Sequence, residues 1–188
     1  MKKITAIITV FAILFAVALP AWAEETYVAV SEGKPIEALY GEGNPERAND
    51  SSAVTRYTGS KSYIENALTI DLEKQYILDH VSVTMAYAET SSIWVSDNAG
   101  FTTYVELEED RTETRTTYYK IPADYAEESF RYVRYNFTAG ARDVIVYDIK
   151  AYTTEENSAG AGPRPITAPV FTEEIVVVSQ DKPILSMQ

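Results

Sequence analysis

Hydrophobic and polar residues alternate with a period of two over much of this chain. The pattern is clearest where Val133, Tyr135 and Phe137 are separated by Arg134 and Asn136. A repeat of two residues is typical of a β-strand that buries one face and leaves the other in solvent. These residues are therefore predicted to form a half-buried strand.

The residues around this strand predict a β-hairpin over residues 130–152. Residues 138–141 are small and include Gly140, which tolerates positive φ values in a tight connection. Residues 143–152 are rich in β-branched and aromatic side chains, as expected for a second strand. Because an isolated hairpin is marginally stable, the pair is expected to pack on further strands.

Earlier parts of the chain predict six more strands, separated by turn-forming residues. They cover residues 27–30, 67–72, 76–87, 92–96, 102–107 and 114–121. Residues 97–100, with the sequence Asp-Asn-Ala-Gly, favour a hairpin turn. No segment has the pattern of an amphipathic helix, so the chain is predicted to be all-β, an antiparallel sandwich or barrel.

The first 23 residues have the pattern of a secretory signal peptide. Lys2 and Lys3 precede an apolar run over residues 4–19, and Ala21-Trp22-Ala23 resembles a cleavage site. An uncleaved membrane anchor is the alternative, but the apolar run is short for a membrane span. The mature protein is predicted to be secreted or held at the cell surface, with no membrane span after cleavage.

The predicted sandwich occupies residues 24–152, and the composition changes after it. Residues 153–168 are polar and rich in Gly, Ala and Pro, as expected for a linker. Residues 169–188 form a predicted tail, in which residues 169–180 have the pattern of one extra strand.

Composition excludes several classes of function. The formal net charge of −12 argues against nucleic acid, whose binding depends on basic residues that neutralise phosphates. The chain has no cysteine, and one histidine, His80, so neither disulfides nor a classical zinc site are predicted. His80 lies at the start of a predicted strand and is interpreted as structural. The acidic residues fall mostly in short runs typical of solvated surfaces, and no catalytic motif is found.

Five segments, in order, are similar to motifs of one family. They are residues 48–57 (ANDSSAVTRY), 66–72 (NALTIDL), 95–101 (VSDNAGF), 130–134 (FRYVR) and 147–149 (YDI). This series resembles the F5/8 type C, or discoidin, domain, which is also called the galactose-binding-like fold or, in bacterial enzymes, the family 32 carbohydrate-binding module. The resemblance implies an antiparallel jelly-roll β-sandwich that binds ligands and does not catalyse a reaction.

In that family the ligand lies at loops on one end of the sandwich. The resemblance places Phe137 and Arg142 at the loop before the closing strand, and Tyr40 lies in an early loop. An aromatic ring against the apolar face of a sugar, with fixed polar groups for its hydroxyls, is the usual means of glycan recognition. These three residues are therefore candidate glycan contacts.

Trp94 is the fourth candidate contact. It lies outside the core if Ile93 and Val95 point inwards. The alternative is a residue at the rim that covers the sandwich, which is the commoner role for a tryptophan on such a strand.

The resemblance also implies a structural Ca²⁺ between the first long loop and the last strand. The predicted oxygen ligands are Asn49, Asp50, Ser52, Thr55 and Asp148. Ser52 stands where the family has a second acid, and Asp148 replaces its Glu. The alternative for Asp148 is an outward-facing carboxylate beside Lys150.

Together these observations predict a non-catalytic extracellular binding module for a cell-surface glycan or polysaccharide. The alternative is a protein-interaction or structural module of an extracellular assembly, in which the tail strand pairs with a partner protein.

Overall fold

The computed structural model describes residues 26–40, 43–52, 54–63 and 65–160. The strands in this part of the chain are β1 Tyr27–Ala29, β2 Ile36–Ala38, β3 Tyr57–Gly59, β4 Asn66–Tyr76, β5 His80–Ala86, β6 Ala88–Ser96, β7 Val105–Glu106, β8 Glu108–Glu113, β9 Thr116–Lys120, β10 Phe130–Ala139 and β11 Val144–Thr154. Two short 3₁₀ helices, Pro45–Ala48 and Ala123–Tyr125, lie in the connections.

The strands form two antiparallel sheets. The five-stranded sheet has the order β2-β4-β10-β6-β7. The six-stranded sheet has the order β1-β11-β5-β9-β8, with β3 also paired to β11. The predicted all-β, antiparallel sandwich is therefore confirmed. Within the described residues, no helix is long and apolar enough to cross a membrane.

Alternate side chains of the central strands form the core between the two sheets. Val133 and Tyr135 of β10 are fully buried, and Phe137 is 2% exposed. Ile70 of β4 and Ile149 of β11 approach them from the two sheets as members of the same hydrophobic cluster. Complete burial of each such side chain stabilises the fold by about 1.5–3 kcal/mol. The predicted inward face of residues 133–137 is thus confirmed.

The predicted hairpin over residues 130–152 is wrong, because β10 and β11 lie in different sheets. β10 pairs with β4 and β6, whereas β11 pairs with β1, β3 and β5. Each strand is central in its own sheet, so both of its edges are hydrogen-bonded to other strands. The short connection at residues 140–143 crosses from one sheet to the other.

The described strands begin and end near the two ends of the described chain. β1 begins at Tyr27, and β11 continues to Thr154 before turns that end at residue 160. The first eight residues of the predicted linker therefore belong to β11 and these turns. The signal peptide at residues 1–23, the rest of the linker and the tail at residues 169–188 lie outside the described residues.

His80 begins β5, as the sequence predicts. Its ring stacks on Tyr152 with 4.5 Å between ring centroids, and its Nδ1 lies 2.7 Å from the carboxylate of Asp79. Tyr27 and Tyr118 also contact the ring. The histidine thus packs within an aromatic cluster on the six-stranded sheet.

Candidate functional site

Several loops meet at one end of the sandwich. In the five-stranded sheet, the end of β10 lies beside the start of β6, where Ala139 pairs with Ala88. The backbone N–H of Lys61 donates to the Asp143 carboxylate at 2.9 Å, which joins the β3–β4 loop to the β10–β11 loop. We call this end of the sandwich, with the loops after β2, β3, β5 and β10, the loop end.

Two stacked tyrosines are exposed at the loop end. Tyr40 and Tyr63 have ring centroids 5.1 Å apart and planes inclined by 14°. Their side chains are 47% and 44% exposed. The Tyr57 hydroxyl donates to the backbone carbonyl of Tyr40 at 2.8 Å, which fixes Tyr40 to the buried strand β3. Tyr40 was predicted from the sequence, and Tyr63 was not.

A second aromatic group at the loop end combines Tyr87 with Arg142. The guanidinium carbon of Arg142 lies 5.1 Å from the centre of the Tyr87 ring, a cation–π arrangement. Tyr87 is 52% exposed and joins β5 to β6 with a φ of 71°. A bulky residue in this left-handed region is strained, and such strain is concentrated at functional sites. Arg142 was predicted from the sequence, whereas Tyr87 was not.

Phe137 has a different place from the one that the resemblance implies. Its ring is buried in the core and stacks on Tyr135 with centroids 5.0 Å apart. A side chain that is 2% exposed offers almost no surface to a sugar. The prediction of Phe137 as a glycan contact is corrected accordingly, because its strand register points it inwards.

Trp94 lies on the outer face of the five-stranded sheet, away from the hydrophobic core. Ile93 and Val95 are fully buried, so the predicted orientation of Trp94 is confirmed. Its ring stacks on Tyr104 with centroids 4.2 Å apart and planes inclined by 17°. Trp94 pairs with Arg134 in the middle of the sheet.

The predicted metal ligands of the first long loop bond mainly within that loop. The Thr55 hydroxyl lies 2.7 and 2.6 Å from the two carboxylate oxygens of Asp50, and the Ser52 N–H donates to Asp50 at 2.9 Å. The Thr55 hydrogen bond holds the pKa of Asp50 below its ordinary value. Asn49 is buried, and its Nδ2 donates to the backbone carbonyls of Ser31 and Lys34. This geometry gives Asn49 a structural role in tying the loop to the β1–β2 connection.

Asp148, on the last strand, is paired with a lysine. The Lys150 ammonium lies 3.0 Å from Asp148 Oδ2, the arrangement that the sequence left as the alternative to calcium. Burial raises the pKa of Asp148, and the ion pair with Lys150 opposes that rise. In the described part of the chain, no group of three or more acidic or histidine side chains is placed to hold a metal ion. The Lys150 ammonium thus supplies a positive charge to Asp148 Oδ2, whereas the buried Asp148 Oδ1 has no partner among the described residues.

Solved structures with a similar fold include carbohydrate-binding modules. Chitosan-binding module 1 of a chitosanase/glucanase from Paenibacillus sp. IK-5 has a TM-score of 0.57 and 18% identity, and the match covers 67% of this chain and 99% of that module. The family 32 module of Clostridium perfringens NanJ, in complex with galactose, has a TM-score of 0.54 and 13% identity, covering 68% of this chain and 100% of the other.

A third similar structure is CpGH89CBM32-4 of Clostridium perfringens, in complex with GlcNAc-α-1,4-galactose. Its TM-score is 0.54 at 14% identity, and the match covers 70% of this chain and 97% of that module. No family model and no curated protein matches the sequence. These likenesses show that the chain has the galactose-binding-like β-sandwich fold of carbohydrate-binding modules, as its sequence motifs imply.

Proposed function

We propose that this protein is a non-catalytic module that binds carbohydrate at the loop end of its sandwich. The observation that carries the proposal is the exposed stack of Tyr40 on Tyr63. An aromatic surface can pack against the C–H groups on one face of a pyranose ring, which is the usual apolar element of a sugar site. Arg142 supplies N–H donors for the sugar hydroxyls from the neighbouring loop.

The loop end is held in place before any ligand binds. Tyr40 is fixed by its bond to Tyr57, and the loop of Tyr63 is joined to the β10–β11 loop through Lys61 and Asp143. A site that is already ordered loses less conformational entropy on binding, and so retains more of its interaction energy as affinity. This rigidity supports a binding role for the loop end.

The solved neighbours support the class of ligand. Modules of the same fold are described with chitosan, galactose and GlcNAc-α-1,4-galactose as ligands. We propose carbohydrate as the class of ligand for this chain and assign no particular sugar. A secreted or surface location, which the predicted signal peptide implies, would place the module where such polymers are encountered.

The proposal is tested with protein comprising residues 24–188 on an array of glycans. We expect reproducible binding to a set of related glycans, and about a tenfold or greater loss of affinity for Tyr63→Ala and for Arg142→Ala, equivalent to about 1.4 kcal/mol each. The matched control is Arg111→Ala, which removes an arginine stacked on Tyr118 on the other sheet, at 4.2 Å.

Each outcome bears on a different part of the proposal. Loss of binding in the loop-end variants, with Arg111→Ala unchanged, would support it. Equal binding by all folded variants would show that the loop end is not the site. If the folded protein binds no glycan, the carbohydrate proposal is overturned, and the predicted alternative of a protein-binding module becomes the one to pursue.

A further inference from the structure

A groove lies on the outer face of the five-stranded sheet. Its volume is about 330 Å³, which is at the small end of the range for ligand pockets in proteins. Ala67 of β4, Asn136 of β10 and Ser92 of β6 are direct neighbours across the sheet and form its floor. Trp94 and Leu39 line its sides.

Two side chains on this face have hydrogen-bond donors without acceptors. Nε1 of Trp94 and Nδ2 of Asn136 are buried, and neither has a partner among the described residues. Buried donors are nearly always hydrogen-bonded in native proteins, so two on one surface require an explanation. Both side chains point to the outer face, because their direct neighbours Ser92 and Arg134 do so too. Neither nitrogen is reached by solvent, so a ligand in the groove would satisfy these donors only with a turn of the two side chains towards it.

The aromatic part of the groove is fixed in position. Trp94 stacks on Tyr104, and the Tyr104 side chain is 44% exposed, so the pair extends an aromatic surface from the groove towards solvent. The neighbouring Arg134 is already occupied, with its Nε donating to Thr69 at 3.0 Å and its guanidinium 3.9 Å from the Phe101 ring centre. The free donors are therefore those of Trp94 and Asn136.

The charges around the groove select against anionic ligands. Glu65 lines it, Glu106 is the direct neighbour of Trp94, and Glu37 is the direct neighbour of Thr69 on the same face. These carboxylates would repel uronic acids or sulfated sugars. An uncharged sugar chain has hydroxyl and ring oxygens for the two donors and C–H faces for the indole.

We propose that this groove is a second binding site, which takes a short internal segment of an uncharged glycan chain. We name it the sheet groove, with Trp94 as its aromatic wall and Asn136 as its central donor. The proposal shares the ligand class of the loop end, and the groove borders that end through Leu39 and Glu65, but it uses none of the loop-end tyrosines. The two sites can therefore fail independently.

The sequence provides a direct reporter for the sheet groove. Trp94 is the sole tryptophan after residue 23, so the indole fluorescence of protein comprising residues 24–188 comes from this site alone. Cellohexaose, xylohexaose and N-acetylchitohexaose serve as uncharged probes, and oligogalacturonate serves as the anionic comparison. We expect at least one uncharged probe to shift or quench the Trp94 emission in a saturable manner, and oligogalacturonate to have no effect.

Two variants separate the sheet groove from the loop end. Asn136→Ala keeps the fluorescent reporter and removes one donor, so we expect about a tenfold weaker response to the active probe, the loss of about one hydrogen bond. Tyr63→Ala should leave this response unchanged. Thermal unfolding of both variants checks that they fold, and Asn136→Ala is not expected to lower Tm greatly because its donor is unpaired.

Three results would overturn the proposal. The first is an unchanged Trp94 emission with every uncharged probe. The second is an identical response of Asn136→Ala and the wild type. The third is a response that disappears in Tyr63→Ala, since Trp94 would then be sensing the loop end. A Trp94 response that persists when loop-end binding fails would support the sheet groove and contradict only the proposed loop-end site.

Discussion

The Lys150 ammonium lies 3.0 Å from the carboxylate of Asp148, two residues earlier on the same face of β11. Both side chains are about three-quarters buried, with exposed fractions of 27% and 23%. The ion pair occupies the place where the resemblance implied a calcium ion. This relationship leads to a prediction about both stability and calcium.

Removal of the Lys150 ammonium should destabilise the protein more than removal of a lysine whose partner carboxylate is exposed. Lys150→Met leaves the partly buried Asp148 carboxylate without a counter-charge, and we expect a loss of about 1–2 kcal/mol in the free energy of unfolding at pH 7. The matched control is Lys34→Met, which breaks the more exposed pair with Glu73 and should lose under about 1 kcal/mol. Denaturant unfolding measures both values.

Thermal unfolding with and without Ca²⁺ tests the predicted calcium site. Because Lys150 already neutralises Asp148, we expect Ca²⁺ to leave the Tm of the wild type unchanged. Calcium itself stays a prediction of the sequence until this titration is made. A rise in Tm with Ca²⁺ that is abolished by both Asp50→Asn and Asp148→Asn would establish the ion and contradict the ion-pair interpretation.

A second prediction concerns the acid limit of stability. Arg131 donates to both carboxylate oxygens of Asp71, at 2.7 and 2.8 Å, and this pair links β10 to β4. The Arg131 hydrogen bonds hold the pKa of Asp71 below its ordinary value. An acid whose pKa is lower in the folded state stabilises the fold above its unfolded-state pKa, near 4, and that contribution is lost as the pH falls through the folded-state pKa.

Asp71→Asn should therefore lower the free energy of unfolding at neutral pH. It should also make that free energy fall less steeply as the pH decreases. We expect a loss of about 1 kcal/mol at pH 7, a modest value because the Arg131 side chain is 41% exposed. Below pH 4 the stability of the variant should approach that of the wild type. Urea unfolding between pH 2 and 7 measures this, with Asp124→Asn as the control for loss of one exposed carboxylate. Parallel pH curves for Asp71→Asn and the wild type would refute the assignment.

A third prediction concerns the position of Phe137. A Cβ added at Gly59 would lie 2.5 and 2.8 Å from two ring carbons of Phe137, so Gly59→Ala must displace the ring. We expect a loss of about 1–3 kcal/mol, typical of overpacking in a core. At Gly100 the nearest atom to an added Cβ is 3.6 Å away, and Gly100→Ala is the control.

A smaller side chain at position 137 should relieve this clash. In the double variant Gly59→Ala with Phe137→Leu, the combined loss in unfolding free energy should be smaller than the sum of the two single losses, by 0.5 kcal/mol or more. Strict additivity would mean that the two residues do not contact each other.

Phe137 shows how two sequence signals disagreed. Its own period-two pattern with Val133 and Tyr135 predicted an inward side chain, whereas the family resemblance placed it among ligand contacts. The structure follows the periodicity, because an apolar ring at that register completes the core. Tyr63 carried a weaker signal, since it is a lone aromatic in a polar connection, and periodicity says nothing about loops. Tyr87 stood at the end of the predicted strand over residues 76–87 and gave no sign that it lies at a turn.

The sequence by itself determined the central strands and which of their faces are buried, because alternation along one strand is a local property, but it predicted no strand at β2, β3 or β8. It also determined the class of fold, through motifs kept in order along the chain. Strand partners were decided only by the tertiary structure, which placed β10 and β11 in opposite sheets. Backbone hydrogen bonds between strands are alike for every pair, so local pattern does not choose the partner.

The candidate sites depend on the same distant pairings. Tyr40 stacks on Tyr63 across 23 residues, and Arg131 binds Asp71 across 60. The groove beside Trp94 forms because Asn136 of β10 lies diagonally across from Trp94. The direct neighbour of Asn136 on β6 is Ser92. Residues far apart in sequence become a surface only after the core has fixed the register of the sheets. The sequence therefore provides the aromatic and polar groups, and the packed sandwich decides which of them meet.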